Sequence, residues 1–176
     1  MNTGQMLITI GAIFLLSVVI LRVNTNLLIT DNVMDKSKVN LLAVSIATSC
    51  IEEATAKAFD ENTVNSSVVD STSFSSILGK ESGEVYPLFD DFDDYNSFAS
   101  NPKLDSIEFA TGKFLVFQTF CKVNYVPFTN PNSITSTKTW NKRMTVEVTS
   151  EAMLDEELGI QDTITMSTIY SYWFFR

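Results

Sequence analysis

Histidine is absent from all 176 residues. The commonest general base and the commonest zinc ligand are therefore missing together. Cysteine occurs twice, at Cys50 and Cys121, too far apart for a CxxC zinc knuckle or a thioredoxin-like redox pair. Basic residues are scarce, with 12 Lys and Arg against 21 Asp and Glu and a net charge of -9. Nucleic acid is excluded as an expected partner, because phosphate binding needs a basic face. No nucleophile elbow and no glycine-rich phosphate loop is found, so the chain reads as a non-enzyme.

What is present begins with MLITIGAIFLLSVVIL, Met6–Leu21, an apolar run relieved only by Thr9 and Ser17 and closed by Arg22. As helix it spans roughly 24 Å at about 1.5 Å per residue, slightly short of a bilayer core of about 30 Å. Arg22 can snorkel, and the apolar residues of 23–29 let the helix continue. A helix apolar on every side is buried all round, in lipid or among copies of itself. A cleaved secretory signal is not expected, since Met1–Gln5 carries no Lys or Arg and 20–23 offers no small-x-small site.

Between Val23 and Lys38 stand Asn24, Asn26, Thr30, Asp31 and Asn32, whose side chains compete for backbone hydrogen bonds. The helix is expected to weaken there, and Asp31 or Asn32 offers a cap for a fresh start. Without Pro or Gly a full break is not demanded. Over 39–59, Leu42, Ile46, Cys50 and Ala54 recur at helical spacing, and Leu41, Val44, Ala47 and Ile51 widen the stripe. Residues 1–60 thus read as one long helix, or two in line, apolar over 6–21 and amphipathic over 39–59. Residues 61–176 read as a β-rich head.

The head opens on a Ser-rich, loop-rich stretch with a short strand expected near 85–89. DDFDDYN follows, Asp90–Asn96. Four carboxylates in five positions repel one another unless solvated or bridged by a cation. Without an EF-hand pattern the stretch reads as a solvated acidic loop, with calcium held by Asp90, Asp91, Asp93 and Asp94 as the alternative. No other cofactor is expected.

Alternation then predicts strands. Over 104–110, Leu104, Ser106 and Glu108 oppose Ile107 and Phe109. Over 113–126, Leu115, Phe117, Cys121, Val123 and Tyr125 oppose Gln118, Lys122 and Asn124. Over 140–148, Trp140, Met144, Val146 and Val148 share a face. An acidic turn is expected at 155–159, with a helical twist from Glu151, and a last strand over 163–175. Its aromatic end, Tyr170–Phe175, reads as sheet core or as a subunit contact. Consecutive antiparallel strands with one polar face imply a greasy opposite face, for which the amphipathic helix is the natural cover. That gives an α+β fold: a long N-terminal helix packed on a C-terminal antiparallel sheet. Cys50 and Cys121 are both assigned to the helix–sheet interface, so a disulfide between them is expected in an oxidising compartment, with two buried thiols as the alternative.

This plan resembles that of a type IV pilin. AVSIATSCIEEATAKAFDE, Ala43–Glu61, resembles the helix of certain minor pilins, which carry an LEE-like pair followed by FDE. FDDFDDYN, Phe89–Asn96, resembles an acidic FDDxDDY stretch downstream in the same group. The opening residues also resemble pilin-like proteins that begin with MxTGQ. The resemblance implies a structural subunit of an extracellular filament or adhesive fimbrium, inserted in the inner membrane before assembly and handled by pilus assembly machinery. A pseudopilin of a secretion system has the same plan. The assembly residues would be Ile13 and Leu16 in the dry filament axis, Arg22 at its margin, and Gln5. Pilins are cut after a Gly and carry Glu at the fifth mature position. Cutting at Gly4-Gln5 would put Thr9 there, whereas counting from Met1 puts Gln5 there, whose amide could bond a neighbour's amino terminus. The helix-melting Pro of many pilins is absent near Arg22. The reading from a different class is a monomeric membrane-anchored exported binding domain.

Overall fold

A computed structural model describes residues 2–155 and 159–172, without the side chain of residue 155. The chain divides into two compact units, Met1–Val39 and Asn40–Arg176. Helix α1, Thr3–Thr55, is continuous, so the expected weakening at 23–38 leaves no break. The hydroxyls that compete with the backbone are turned into supports. Thr25 and Thr30 donate to the carbonyls of Leu21 and Asn26 at 2.9 and 2.8 Å, and Ser37 to Val33 at 2.8 Å. Lys38 pairs with Asp35 at 3.1 Å.

In the second unit the α1 residues pack on a four-stranded antiparallel meander. The strands are β1 (Lys103–Ala110), β2 (Lys113–Tyr125), β3 (Asn141–Asp155) and β4 (Ile160–Ser171), in the order β1-β2-β3-β4. Gly112, at φ 74°, supplies the left-handed conformation in the turn between β1 and β2. Cys121 pairs with Val146 across β2 and β3, and Val146 with Met166 across β3 and β4. The alternating faces of β1 and β2 match expectation: Phe117, Cys121, Val123 and Tyr125 are buried, while Gln118 and Lys122 are exposed.

Three details differ. The buried face of the helix centres on small residues, Ala43, Ala47, Cys50 and Ala54, whereas Leu41 and Val44 face solvent. Side chains this short let the helix axis approach the sheet closely, so the larger aliphatics fall to its flanks. Residues 85–89 form turns rather than a strand, and residues 151–155 continue β3 instead of twisting into a helix. Part of the acidic turn, at 156–158, and part of the aromatic tail, at 173–175, lie outside the described residues. Tyr170 and Tyr172 join an aromatic cluster with Phe59, Phe74 and Trp140 in the head, in keeping with the core reading of that end.

Candidate functional site

Two surfaces invite function: the apolar half of α1 and a knot of carboxylates in the head. From Met6 to Leu21 the large apolar side chains of α1 are exposed around the whole circumference, Leu7, Ile8, Phe14 and Leu21 by about two thirds or more. Ile13 and Leu16 lie in the middle of this run, each 59% exposed. Gln5 sits in the first turns and Arg22 just beyond the run, both exposed. The two hydroxyls inside the run are spent on the helix itself. Thr9 donates to the Gln5 carbonyl at 2.7 Å and Ser17 to the Ile13 carbonyl at 2.9 Å. The surface offered outward is therefore dry, and by length and composition this one helix could cross a membrane.

The carboxylate knot is built from the segment that leaves α1. Asp60 caps helix α2, Glu61–Val64, through a capping box with Thr63. Its carboxylate also accepts hydrogen bonds from Ser75 N and Oγ, each at 3.0 Å, and stands 3.2 Å from the Tyr125 hydroxyl. Lys142 of β3 completes the set. Its ammonium is fully buried and donates to Asp60 Oδ2 at 2.8 Å, to the Phe59 carbonyl at 2.7 Å and to Asp93 Oδ1. Three protons meet three acceptors. Burial pushes the Asp60 carboxyl up, but the Lys142 charge and hydrogen bond, with the Ser75 and Asn62 amides, together outweigh it and hold the group below its ordinary range. Asp93 shares the same ammonium, yet burial and the neighbouring Asp60 charge leave it raised.

The FDDFDDYN segment is clasped onto this region. Phe92 N donates to the Ala58 carbonyl at 2.9 Å and Ala58 N to the Asp90 carbonyl at 3.1 Å. Within the segment two carboxylates bind each other's backbone. Asp91 Oδ1 accepts from Asp93 N and Asp94 N at 2.8 and 3.0 Å, while Asp94 Oδ2 accepts from Asp90 N and Asp91 N at 3.1 and 3.2 Å. Asn96 then fixes the segment to the sheet, accepting from Val123 N at 2.9 Å.

The solvated-loop reading is thereby corrected: Asp91, Asp93 and Asp94 are fully buried, and of the four only Asp90 is exposed. The expected four-carboxylate set is also regrouped. Asp93 turns to Lys142, whereas Asp90, Asp91 and Asp94 meet Glu61, Glu81 and Glu84. Carboxylate oxygens of Glu61, Glu81 and Asp91 lie within 4.8 Å of one another, as do those of Glu61, Glu84 and Asp90, and those of Glu81, Glu84 and Asp94. Burial, then the charges of Asp93 and Asp94, push Asp91 up to about 9. Burial and the Glu84 contact raise Glu81 to about 7, and burial raises Asp94 to about 6. An oxygen-only donor set of this kind suits hard cations such as calcium or magnesium.

Sequence reasoning missed Lys142, although it stands between Trp140 and Met144 on the face that alternation marks as apolar. A lysine there is a signal for a buried ion pair. It also missed Glu61, Glu81 and Glu84, which come from other segments and carry no shared spacing. Cys50 and Cys121 meet at the helix–sheet interface as expected, both buried and free, with Sγ atoms in contact at 3.4 Å and no covalent bond between them. Comparison with family models, with curated proteins and with solved structures returns no match for this chain.

Proposed function

We propose that this chain is a structural subunit of an extracellular type IV pilus-like filament, polymerising through the apolar half of α1. The reading rests on one observation above the others: residues 6–21 expose large apolar side chains on every side and keep their hydroxyls to themselves. Such a surface is stable only in lipid or against other apolar helices. Before assembly it would sit in the inner membrane. After extraction by the assembly machinery it would bury itself among identical helices, in a heterologous contact that repeats without closing. The resemblance of Ala43–Glu61 and Phe89–Asn96 to pilin segments supports the same reading. The competing reading is a monomer anchored by this helix, which its length and composition also satisfy.

Electron microscopy of sheared cell-surface material tests the proposal. The native chain should yield fibres that contain it, and Ile13→Asp should yield none. A buried unpaired charge costs several kcal/mol at each subunit of a dry core. In single-helix insertion an Asp costs about 3 kcal/mol, which the remaining apolar run outweighs. The variant should therefore still fractionate with membranes, its head folded. Fibres from Ile13→Asp would refute the axial placement. A native chain recovered only as a detergent-extracted monomer would favour the anchored domain.

A further inference from the structure

We propose that the head binds calcium through Glu81, Glu84 and Asp94, with Glu61, Asp90 and Asp91 completing the cluster. The acidic cluster alone would not carry this. The second observation is that two of its members are fully buried and half-satisfied. Asp91 and Asp94 each spend one oxygen on backbone N–H groups, and Asp91 Oδ2 and Asp94 Oδ1 have no hydrogen-bond partner among the described residues. Glu81 Oε2 is also buried without one. Buried carboxylate oxygens are costly unless paired or bound to a cation. The nearby buried cation cannot serve them, because Lys142 has already committed all three protons to Phe59, Asp60 and Asp93.

Coordination number and flexibility separate the candidate ions. Within each triple the carboxylate oxygens lie within 4.8 Å of one another, close enough for one ion to bridge them. Calcium takes six to eight oxygens in flexible geometry, matching a set supplied by three separate segments. Bound there, the ion would tie together α2, the turn that holds Glu81 and Glu84, and the FDDFDDYN segment. This inference is independent of whether the chain polymerises.

The test is a thermal melt of the full chain in detergent, stripped with chelator and then titrated with calcium or magnesium chloride, alongside calorimetric titration. A hundredfold excess of calcium over its Kd should raise the melting temperature by roughly 5–10 °C. Glu81→Gln should abolish most of that rise. Asp91→Asn removes a ligand that also supports the backbone, so Glu84→Gln, at a half-buried position, serves as the second variant and should weaken binding at least tenfold. No calcium-dependent shift and no heat of binding in the native chain would overturn the site. An undiminished shift in both Glu81→Gln and Glu84→Gln, or an equal response to magnesium, would overturn the assignment.

Discussion

Lys142→Ala is expected to destabilise the head by about 3–5 kcal/mol, enough to unfold a domain of ordinary stability. The ammonium is the sole counter-ion drawn directly onto Asp60 and Asp93 among the described residues. It also lies 4.6 Å from the Phe59 ring centroid and 5.4 Å from that of Tyr125, so its removal vacates a packed aromatic cage as well. The larger loss comes from what stays behind, two buried carboxylates without a cation. Lys142→Met separates the effects, since it restores much of the volume but not the charge. It should recover little, whereas adding Asp60→Asn and Asp93→Asn to it should recover much. Urea denaturation at neutral pH gives the measurement, and a loss below about 1 kcal/mol for Lys142→Ala would show that the pair is solvated or dispensable. Acid acts on the same joint. Asp60 is held below its unfolded value, so its contribution is fully present above about pH 4 and is lost as pH falls through the lower folded value.

Oxidation of Cys50 and Cys121 should stabilise the chain by about 4 kcal/mol over its reduced form. The Sγ atoms are 3.4 Å apart on α1 and β2, and the bridge would close a loop between positions separated by 71 residues. Forming it removes two protons and two electrons, which an oxidant such as glutathione disulfide accepts in vitro, or an oxidising compartment if the chain is exported as proposed. Hydrogen bonding to Cys50, and then burial, raise the Cys121 thiol far above its ordinary value, so uncatalysed exchange there should be slow. Oxidised protein should resist alkylation and weigh less than the reduced chain by two hydrogens. Urea midpoints with and without reductant then give the energy. Two thiols that alkylate readily in the unfolded, oxidant-treated chain would exclude the bridge and leave a pair of small buried hydrophobes.

The two cysteines illustrate what could be read from residue order. Helical spacing placed Cys50 on the sheet-facing side, and alternation placed Cys121 on the helix-facing side. Local periodicity sufficed because each element buries one face. The same logic placed Phe117, Val123, Met144 and Val146 correctly. It failed where burial depends on the partner's shape, as when Ala43 joined the centre of the interface while Leu41 and Val44 turned to solvent. It failed more completely for the carboxylates. Asp91 and Asp94 look solvated beside their neighbours in sequence, and only the arrival of Glu61, Glu81 and Lys142 from distant segments changes their surroundings. Interactions between groups far apart in the chain leave no periodic trace.

The alanine face of α1 has a consequence in time. Synthesis runs from the N-terminus, so Cys50 leaves the ribosome 71 residues ahead of Cys121. At about 5–20 residues per second that is a wait of roughly 4–14 s. Throughout it the helix has no sheet to cover it. Its sheet-facing stripe, Ala43, Ala47 and Ala54, exposes far less apolar surface than leucines would, and so offers little for a stray partner to hold. The meander that ends the wait is made of hairpins between consecutive strands, each able to close as soon as its second strand emerges.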